Sequence, residues 1–375
     1  MSRVLLVSGI YFPDVGGPAT HVRRIAEHFS SLGWTVTVVT FGDLAIPAPS
    51  PFRVVRISRR YPKIISWFLY ALTIVRESLR HDVLYAFDLT TAGIPTATAA
   101  RILRRPFLLR IGGDPIWERG AERGEHFIPL LAYYERGLYK KHRVKIPLLL
   151  FVVRSAERII VYNQMFKDFY VRYFKAPAER ISIIRNPFPS AQVAPAEEGS
   201  FTCVFAGRFV LYKNLRLVLR AAAVVHKTHP DFRLVFIGTG PEEETLRHEA
   251  RALNAPLEIH PTMAQKGLFE FMKGASLAIA PALTEFNPNF ILEALALGKP
   301  ILISREHGLS VPLPAFFEFD PMSEVSLTVA LTNLLDPEKY KEAQLIVAGL
   351  PMDQSWEKVL AAQESIVRKA LSSHV

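Results

Sequence analysis

Two glutamates with seven residues between them, Glu285 and Glu293, have the type and spacing that could do chemistry. Glu293 stands in the apolar run 290–297, where a carboxylate is costly unless it meets a hydrogen-bonding partner. A ribose diol would be such a partner, so Glu293 is a candidate nucleotide ligand. The alternative is that Glu293 is an ordinary acid on a helix surface and Glu285 an ordinary loop charge.

A strand followed by a helix must position these carboxylates. Asn287 is a good N-cap and Pro288 a good first helical residue, while Gly298 and Pro300 suit a helix stop. The pattern therefore predicts a helix over 288–297. Its N-terminus offers free N–H groups and a positive dipole end, which suit a diphosphate or sugar hydroxyls.

Two cations, Arg208 and Lys213, lie five residues apart after a predicted strand. At a strand-to-helix turn both can reach a leaving diphosphate and neutralise the charge that develops as a glycosidic bond breaks. The alternative is a solvated basic loop. Gly238 and Gly240 form a later turn that would let a nucleotide approach the backbone, although such a turn is more often only a tight connection.

The first half of the chain adds two candidate features. Gly16 and Gly17 follow the first predicted strand and permit close backbone contact, but neither a dinucleotide fingerprint nor a P-loop surrounds them. Asp114 follows another predicted strand, and its carboxylate suits either a general base for an acceptor hydroxyl or a helix N-cap. Both roles stay open. His21, within the first predicted helix, is assigned a structural role.

The segment Glu285-x7-Glu293-Ala-Leu-Ala-Leu-Gly298-Lys-Pro300 resembles the signature of family 4 of the retaining glycosyltransferases. The resemblance covers nearly the whole chain and is strongest in the second half. It implies the GT-B fold, in which two Rossmann-like, doubly wound α/β domains face each other across a cleft. In that family the equivalents of Arg208 and Lys213 bind the leaving diphosphate, and a glycine pair like Gly16-Gly17 faces the donor phosphates.

The resemblance implies an enzyme that transfers a hexose-type sugar, with retention, from a nucleotide-sugar donor to a glycan or lipid-linked acceptor. Glu293 would bind ribose and Glu285 the sugar. No Asp-x-Asp occurs in the sequence, so we expect no metal and no cofactor, with Arg208 and Lys213 taking the electrostatic role of a metal ion. Cell-envelope polysaccharide synthesis is the expected setting.

Two departures from the family pattern affect these expectations. Many members have a histidine near the position of Asp114, and the Gly113-Asp-x-x-Trp-Glu118 segment is similar to a variant among bacterial members. Pro288 replaces part of a glycine-rich stretch and has no backbone N–H. Amide contacts to the sugar are therefore expected from Asn289 and Phe290.

Short β-branched runs alternate with amphipathic stretches along the chain, which is typical of parallel sheets covered by helices. We predict an N-terminal acceptor domain at 1–186, a linker at 187–199 and a C-terminal nucleotide-sugar domain at 200–350. An amphipathic helix within 351–375 would pack back on the N-terminal domain. Strands are predicted at 4–8, 35–40, 83–86, 107–111, 159–161, 201–205, 233–237, 277–280 and 300–304.

The charge of the chain is unevenly distributed. The residues through Arg185 hold 28 basic and 14 acidic side chains, a balance of +14, whereas the whole chain has +10. Such asymmetry fits an anionic membrane surface, a phosphorylated acceptor or nucleic acid as partner, or merely a solvated surface. Basic residues precede apolar runs at 59–70 and at 140–153, which suits docking on an anionic membrane surface, the alternative being that both runs are core helices with solvated basic flanks. No nucleic-acid partner is expected.

The composition also limits the location of the protein. A single cysteine, Cys203, excludes an intramolecular disulfide, and the longest nearly apolar run, 64–75, is too short to span a bilayer. No export signal is visible at the start. We therefore expect a cytoplasmic protein, peripheral on the inner face of the cell membrane.

Two other functions compete with sugar transfer. One is a phosphorylase or epimerase of the same architecture, because a fold does not fix a function. The other is a non-catalytic protein that binds nucleotide sugars or nucleic acid, against which the combination of Arg208, Lys213, Glu285 and Glu293 argues.

Overall fold

The computed structural model describes residues 2–14, 17–43, 50–189, 201–309, 311 and 313–373. The chain divides into two compact units. Unit 1 comprises Met1–Ile116, Gly137–Arg185 and Trp356–Val375, and unit 2 comprises Trp117–Arg136 and Asn186–Ser355.

Each unit is made of separate stretches of the chain. Residues 117–136 belong to unit 2, although the sequence places all of 1–186 in one domain. The final helix belongs to unit 1. Most of the expected linker, residues 190–199, lies outside the described residues.

Each unit is built on one sheet. Unit 1 contains β1 Arg3–Val7, β2 Thr35–Phe41, β3 Arg53–Ile57, β4 Val83–Ala86, β5 Phe107–Arg110, β6 Arg158–Val161 and β7 Ile181–Ile183. Unit 2 contains β8 Thr202–Ala206, β9 Arg233–Ile237, β10 Leu257–His260, β11 Leu277–Ala280, β12 Ile301–Ser304 and β13 Glu318–Phe319.

All the paired strands are parallel, in the orders β3-β2-β1-β4-β5-β6-β7 and β10-β9-β8-β11-β12-β13. In unit 1 the direction of strand order reverses between β1 and β4, and in unit 2 it reverses between β8 and β11. Open α/β sheets bind ligands at such switch points, beside the carboxyl ends of the strands. Each unit therefore has one favoured place for a ligand.

Helices connect the strands. They are α1 Gly17–Ser31, α2 Lys63–Ser78, α3 Gly93–Leu103, α4 Pro115–Glu122, α5 Leu130–Glu135, α6 Lys145–Ser155, α7 Gln164–Phe174, α8 Leu215–Thr228, α9 Glu243–Leu253, α10 Gln265–Lys273, α11 Asn289–Ala296, α12 Glu324–Leu335, α13 Pro337–Ala348 and α14 Trp356–Ser372. Within the described residues, no helix is long and apolar enough to cross a bilayer.

The prediction of two Rossmann-like sheets is confirmed, and its buried strands agree with the structure to within about one residue at each end. Four strands were not predicted: β3, β7, β10 and β13. Most residues of β3 and β10 are half-exposed, and neither strand has a continuous apolar run. Strand β13 has only two residues.

The final helix completes the core of unit 1. Val359 and Val367 of α14 share a hydrophobic cluster with Val22 and Phe29 of α1. Nε2 of His28 lies 3.1 Å from the Glu364 carboxylate. The apolar face of α14 is therefore buried by helix packing rather than left for a partner.

Candidate active site

The carboxyl ends of β8, β9 and β11 in unit 2 hold most of the predicted functional side chains. The loop after β8 contains Arg208 and Lys213, the turn after β9 contains Gly240, and the loop after β11 contains Glu285. Because β8 and β11 are neighbours across the switch point, residues far apart in sequence meet there.

Lys213 and Glu285 form a buried ion pair in this place. The Lys213 ammonium donates to Oε1 of Glu285 over 2.6 Å, and the two side chains are 20% and 6% exposed. Leu283 N–H donates to the Tyr212 carbonyl over 2.9 Å, which ties the two loops together directly beside the pair. Two loops from different strands are thus held in fixed register around a charged pair.

The pKa of Lys213 reflects two opposing effects. Burial is the largest single effect and lowers the pKa, but the Glu285 carboxylate, together with Tyr212 and Glu118, outweighs it and holds the pKa above its ordinary value. Lys213 is therefore charged throughout the physiological range, as an electrostatic partner for a phosphate must be. A paired ammonium in a mostly buried place can stabilise a developing negative charge more strongly than one in bulk water.

Arg208 lies on the same loop but its side chain is more exposed than that of Lys213. Its guanidinium donates to Oε1 of Glu122 over 3.2 Å and to the Tyr212 hydroxyl over 3.3 Å. The side chain is 66% exposed, so an incoming anion can reach it. Tyr212 in turn lies between the two cations in sequence and contacts both through its hydroxyl or its ring.

The glycines of this region bring two turns into unusually close contact. At Gly238, φ is +147° and a Cβ atom would lie 1.9 Å from the Gly207 carbonyl oxygen. A Cβ at Gly240 would lie 2.3 Å from the Phe209 carbonyl oxygen. Neither position can accept a side chain without backbone movement, so the turn after β9 lies directly on the Arg208 loop.

Glu293 lies on α11 and has a partner in the structure. The Gln265 side-chain amide donates to Oε1 of Glu293 over 2.7 Å. Burial raises the pKa of Glu293, and this hydrogen bond partly offsets the rise. The partner required by the sequence argument is thus present within the protein, and the second carboxylate oxygen remains as an acceptor for a ligand hydroxyl.

The start of α11 differs by one residue from the prediction. The helix begins at Asn289, and Pro288 takes the N-cap position in place of Asn287. The reason is that the Pro288 carbonyl accepts the first helical hydrogen bonds, from Ile291 N–H at 3.0 Å and Leu292 N–H at 3.2 Å. Asn289 and Phe290 consequently supply the first two backbone N–H groups of the helix.

Asn287 does not cap the helix, and its side-chain amide has a different environment. Its Nδ2 atom is buried and has no hydrogen-bond partner among the described residues. A buried amide donor without a partner is costly, and a ligand oxygen would remove that cost. Nearby, Asn186 donates to Oδ1 of Asn289 over 2.8 Å.

A segment from the first half of the chain supports the Glu285 loop. Thr284 donates to Oε1 of Glu306 over 2.6 Å, and the backbone N–H groups of Leu130 and Leu131 donate to Thr284 and Glu306 over 2.8 and 3.1 Å. Burial raises the pKa of Glu306, against these hydrogen bonds. Glu285 N–H also donates to the Glu306 carbonyl over 2.9 Å, so this network sets the position of the Glu285 backbone.

Trp117 completes the support from that segment. Its ring is fully buried and lies edge-on to Tyr212, with centroids 5.5 Å apart, and to Phe286 at 5.9 Å. Trp117 thus packs between the residue before Lys213 and the residue after Glu285. The only signal for this in the sequence is a tryptophan soon after Asp114, and that signal does not show where the ring lies.

The remaining predicted residues lie in unit 1. Asp114 is fully buried, and its Oδ1 accepts from Ile116 N–H over 3.1 Å at the start of α4. This contact corresponds to the N-cap alternative. Gly17 is the first residue of α1, whereas Gly16 lies outside the described residues. His21 is buried in α1, with its ring 4.9 Å from that of Trp356.

The part of the chain that the structure describes contains no group of three or more histidine, cysteine, aspartate or glutamate side chains that could hold a metal ion. The positive charges at this site come from Lys213 and Arg208.

Two family models match the chain. Residues 15–192 match the model described as Glycosyltransferase Family 4, and residues 190–311 match that described as Glycosyl transferases group 1. Together the matches extend over both sheets.

Individual relatives are more distant. An uncharacterized glycosyltransferase of Haemophilus influenzae is 28% identical over 153 residues, which cover 40% of this chain and 42% of that protein. A D-inositol 3-phosphate glycosyltransferase of Acidothermus cellulolyticus is 26% identical over 247 residues, covering 59% and 55%. The matched part of the chain thus spans about half the length of these relatives.

A solved structure extends the similarity to the whole fold. The sucrose-phosphate synthase of Thermosynechococcus elongatus superposes with a TM-score of 0.75 over 100% of both chains, at 16% identity. At that identity the likeness concerns the fold, and it confirms the predicted GT-B architecture.

Proposed function

Since the chain belongs to the group 1 and family 4 glycosyltransferases, we propose that it transfers a hexose-type sugar from a nucleotide-sugar donor to a glycan or lipid-linked acceptor, with retention of anomeric configuration. The observation that carries the proposal is the buried Lys213–Glu285 pair at the switch point of unit 2. A fixed, largely desolvated cation beside glycine turns is suited to a departing diphosphate.

Lys213 and Arg208 bind the diphosphate in this proposal. The bond from the anomeric carbon to the β-phosphate oxygen breaks, and both cations stabilise the negative charge that develops on that oxygen. Arg208 changes partner from Glu122 to phosphate, which its exposed position allows. The Asn289 and Phe290 N–H groups, at the positive end of α11, donate to sugar or phosphate oxygens.

The two carboxylates have separate roles. Glu293 accepts from a ribose hydroxyl through the oxygen that Gln265 leaves available. Glu285 keeps its ion pair with Lys213 and accepts from a sugar hydroxyl, while the buried Asn287 amide donates to another sugar oxygen. The buried Asn287 amide thereby acquires a hydrogen-bond partner.

Unit 1 binds the acceptor in this proposal. The new bond joins the acceptor oxygen to the anomeric carbon on the face that the diphosphate leaves, and the acceptor proton passes to the leaving phosphate oxygen. Asp114 holds the start of α4 in place through its contact with Ile116 N–H, which supports the N-cap role, and the role of general base for the acceptor stays an alternative. The relative named for D-inositol 3-phosphate supports a phosphorylated acceptor.

The net charge of +14 in the first half of the chain supports the proposal that the protein acts at an anionic membrane surface, in the synthesis of cell-envelope polysaccharide.

We infer that no divalent ion takes part, because Lys213 and Arg208 supply the charge that such an ion supplies elsewhere. Saturating EDTA should leave the initial rate unchanged. Loss of activity that added Mg²⁺ or Mn²⁺ restores would contradict this part of the proposal.

A thermal-shift screen of nucleotide sugars, followed by a transfer assay with the donor that binds, tests the proposal. A donor that binds the native state raises the Tm, and the matching nucleoside diphosphate should do so as well. Transfer to an added acceptor, with the α or β configuration of the donor kept in the product, is the expected result. Formation of sugar 1-phosphate from a glycan and added inorganic phosphate would favour a phosphorylase, and binding without turnover a non-catalytic protein.

A further inference from the structure

Unit 1 contains a large cavity at the carboxyl ends of its strands. Its volume is about 1280 Å³, and Ser8, Phe41 and Asp88, which follow or end β1, β2 and β4, line it. This is the switch point of the sheet, the favoured position for a ligand in such a fold. The volume exceeds that of typical sites for small ligands, which argues for a larger molecule.

Several charged residues line the cavity, and these are here called its polar side. Arg59 makes a bidentate ion pair with Asp14, and this pairing holds the pKa of Asp14 below its ordinary value despite partial burial. Asp88 accepts the backbone N–H groups of Thr90 and Ala92 over 2.8 and 3.0 Å. Both lining carboxylates therefore already have partners.

Lys63 is the cation of this polar side that is available to a ligand. It lines the cavity at the first position of α2, and within the described residues it has no ion-pair partner. Arg60, three residues earlier in sequence, likewise has no ion-pair partner within that part of the chain. The pattern favours a ligand with a negatively charged head.

Apolar side chains also line the cavity, and two of them belong to α2. Tyr61, Ile64 and Trp67 line it together with Phe41 and Phe87. Ile64 is 85% exposed and Trp67 44%, so the same side chains also form part of the outer surface. The cavity therefore opens onto the exposed face of α2.

That face differs from the other helices of unit 1. Its exposed large apolar side chains are Ile64, Ile65, Trp67, Phe68 and Leu72. By contrast, α3 and α6 expose one such side chain each, Ile102 and Leu148, and α1, α7 and α14 expose none. A helix that is apolar on its buried and its outer face, with contiguous aromatic residues outside, is typical of an interaction surface rather than of a solvated helix.

We propose that this cavity binds the acceptor as a phosphorylated amphiphile delivered from a lipid bilayer. The phosphate lies near Lys63, the apolar chain lies along Tyr61, Ile64 and Trp67, and the outer face of α2 rests in the bilayer from which the chain comes. Basic residues beside Trp67 and Phe68 suit an anionic membrane interface. This inference rests on the proposed function, because it names the class of its acceptor.

Calorimetry on the full chain tests the cavity with three probes: decyl phosphate below its micelle concentration, inorganic phosphate and decanol. Decyl phosphate should bind at least tenfold more tightly than either of the other two. The Ile64→Ser/Trp67→Ser variant should lose at least tenfold in affinity for decyl phosphate. Ile102→Ser, an equally exposed apolar residue of the same unit, is the matched control and should change nothing.

A second variant tests the head of the ligand. Lys63→Gln should weaken decyl phosphate binding about fivefold and leave decanol binding unchanged. Equal affinity for inorganic phosphate and decyl phosphate would show an ordinary anion site and overturn the proposal. Unchanged decyl phosphate binding in the Ile64→Ser/Trp67→Ser variant would overturn it as well.

Vesicle sedimentation tests the bilayer as the source. The wild-type protein should sediment with phosphatidylcholine vesicles containing phosphatidylglycerol at low salt, and Ile64→Ser/Phe68→Ser should reduce the bound fraction at least fivefold, whereas Ile102→Ser should not. Bound fractions equal to wild type in the α2 variant would refute the bilayer contact.

Donor binding separates failure of this inference from failure of the proposed function. Nucleoside diphosphate affinity, a property of unit 2, should be unchanged in every α2 variant. If wild type and the Ile64→Ser/Trp67→Ser variant glycosylate a phosphorylated amphiphile at the same rate, the placement of the amphiphile is wrong while the transferase stands. If no donor binds, the transferase is wrong whatever the probes show.

Discussion

The two sheets of this protein have the same architecture, yet their switch points present opposite surroundings. In unit 2 glycine turns pack at backbone distance beside a charged pair that is largely buried. In unit 1 the switch point is a wide cavity with an apolar wall that continues onto an exposed helix face. The strands fix where a ligand binds, and the loops decide which ligand it is.

This difference matches what each half of a sugar transfer requires. A leaving diphosphate needs a small number of fixed charges at close range, because stabilisation falls quickly as water enters. An amphiphile needs area and an opening to the bilayer more than exact geometry. Substitutions in unit 2 should accordingly act on turnover or on nucleotide binding, and substitutions in unit 1 should act on the affinity for the acceptor and for the membrane.

The largest expected effect comes from the cations of unit 2. Lys213→Ala should reduce kcat about 10²-fold or more, because it removes charge from the leaving diphosphate. Arg208→Ala should act in the same direction. Steady-state kinetics at saturating donor measures both effects, after circular dichroism has shown that the variants are folded.

Exposed ion pairs elsewhere in unit 2 supply the controls for these cations. Lys273→Ala breaks a surface pair with Glu270, and Arg247→Ala breaks one with Glu243. Both should keep near-native turnover, since exposed pairs contribute little. Near-native turnover of a folded Lys213→Ala variant would refute the diphosphate role and the comparison drawn from it.

The two carboxylates give the next largest effect. Glu293→Gln should weaken nucleoside diphosphate binding by about tenfold, because a charged acceptor for the ribose is replaced by a neutral one. Glu285→Gln should chiefly lower kcat, since it removes the negative charge that pairs with the Lys213 ammonium. Calorimetry with nucleoside diphosphate separates the two, and Glu270→Gln is the exposed control on α10. Equal losses of affinity in both variants would contradict this division of roles.

The candidate residues of the donor site stand in short, local patterns. Glu285 precedes α11 and Glu293 lies within it, while Arg208 and Lys213 share the loop after β8. Spacing made these residues candidates, the family resemblance favoured them over ordinary surface charges, and their donor roles stay predictions. The contact between Lys213 and Glu285 was not predictable, because the two residues are 72 positions apart and become neighbours only through the pairing of β8 with β11.

The support for the site was less predictable still. Leu130 and Leu131 act through backbone N–H groups, which any residue has, so no sequence pattern marks them. For the fold, continuous apolar runs indicated the central strands, whereas β3 and β10 carry mixed sequences at the sheet edges. The apolar run of α2 was visible in the sequence, but the structure was needed to show that one of its faces is exposed.

A smaller effect is expected at a second basic patch of unit 1, formed by Lys140, Lys141, Arg143 and Lys145. Lys145→Gln should lower binding to anionic vesicles about fivefold, since each basic residue near such a surface contributes about 1 kcal/mol. The effect should disappear at high salt because screening shortens the range of the attraction. Sedimentation at two salt concentrations measures it, with Lys266→Gln of unit 2 as control. A salt-independent loss would show that packing, and not charge, is responsible.

The smallest expected effect concerns Glu306, which links residues 117–136 to the Glu285 loop. Burial raises the pKa of Glu306 in the folded protein above its value in the unfolded chain, about 4.3. The folded state therefore holds the proton more tightly than the unfolded state. As pH rises from below 4.3 through the folded pKa, the free energy of unfolding of the wild type should fall.

Glu306→Gln should remove this pH dependence while its Oε1 keeps accepting from Thr284 and Leu131. The free energy of unfolding of the variant minus that of wild type should thus be larger at pH 7 than at pH 4. Urea unfolding at both pH values measures the difference, and Glu338→Gln on the exposed side of α13 should show none. A difference of the opposite sign would mean that the Glu306 carboxylate is more stable charged in the folded protein. In that case the segment 117–136 would hold the donor loop through an ionised network, and the donor edge of unit 2 would contain a third charged support beside Lys213 and Arg208.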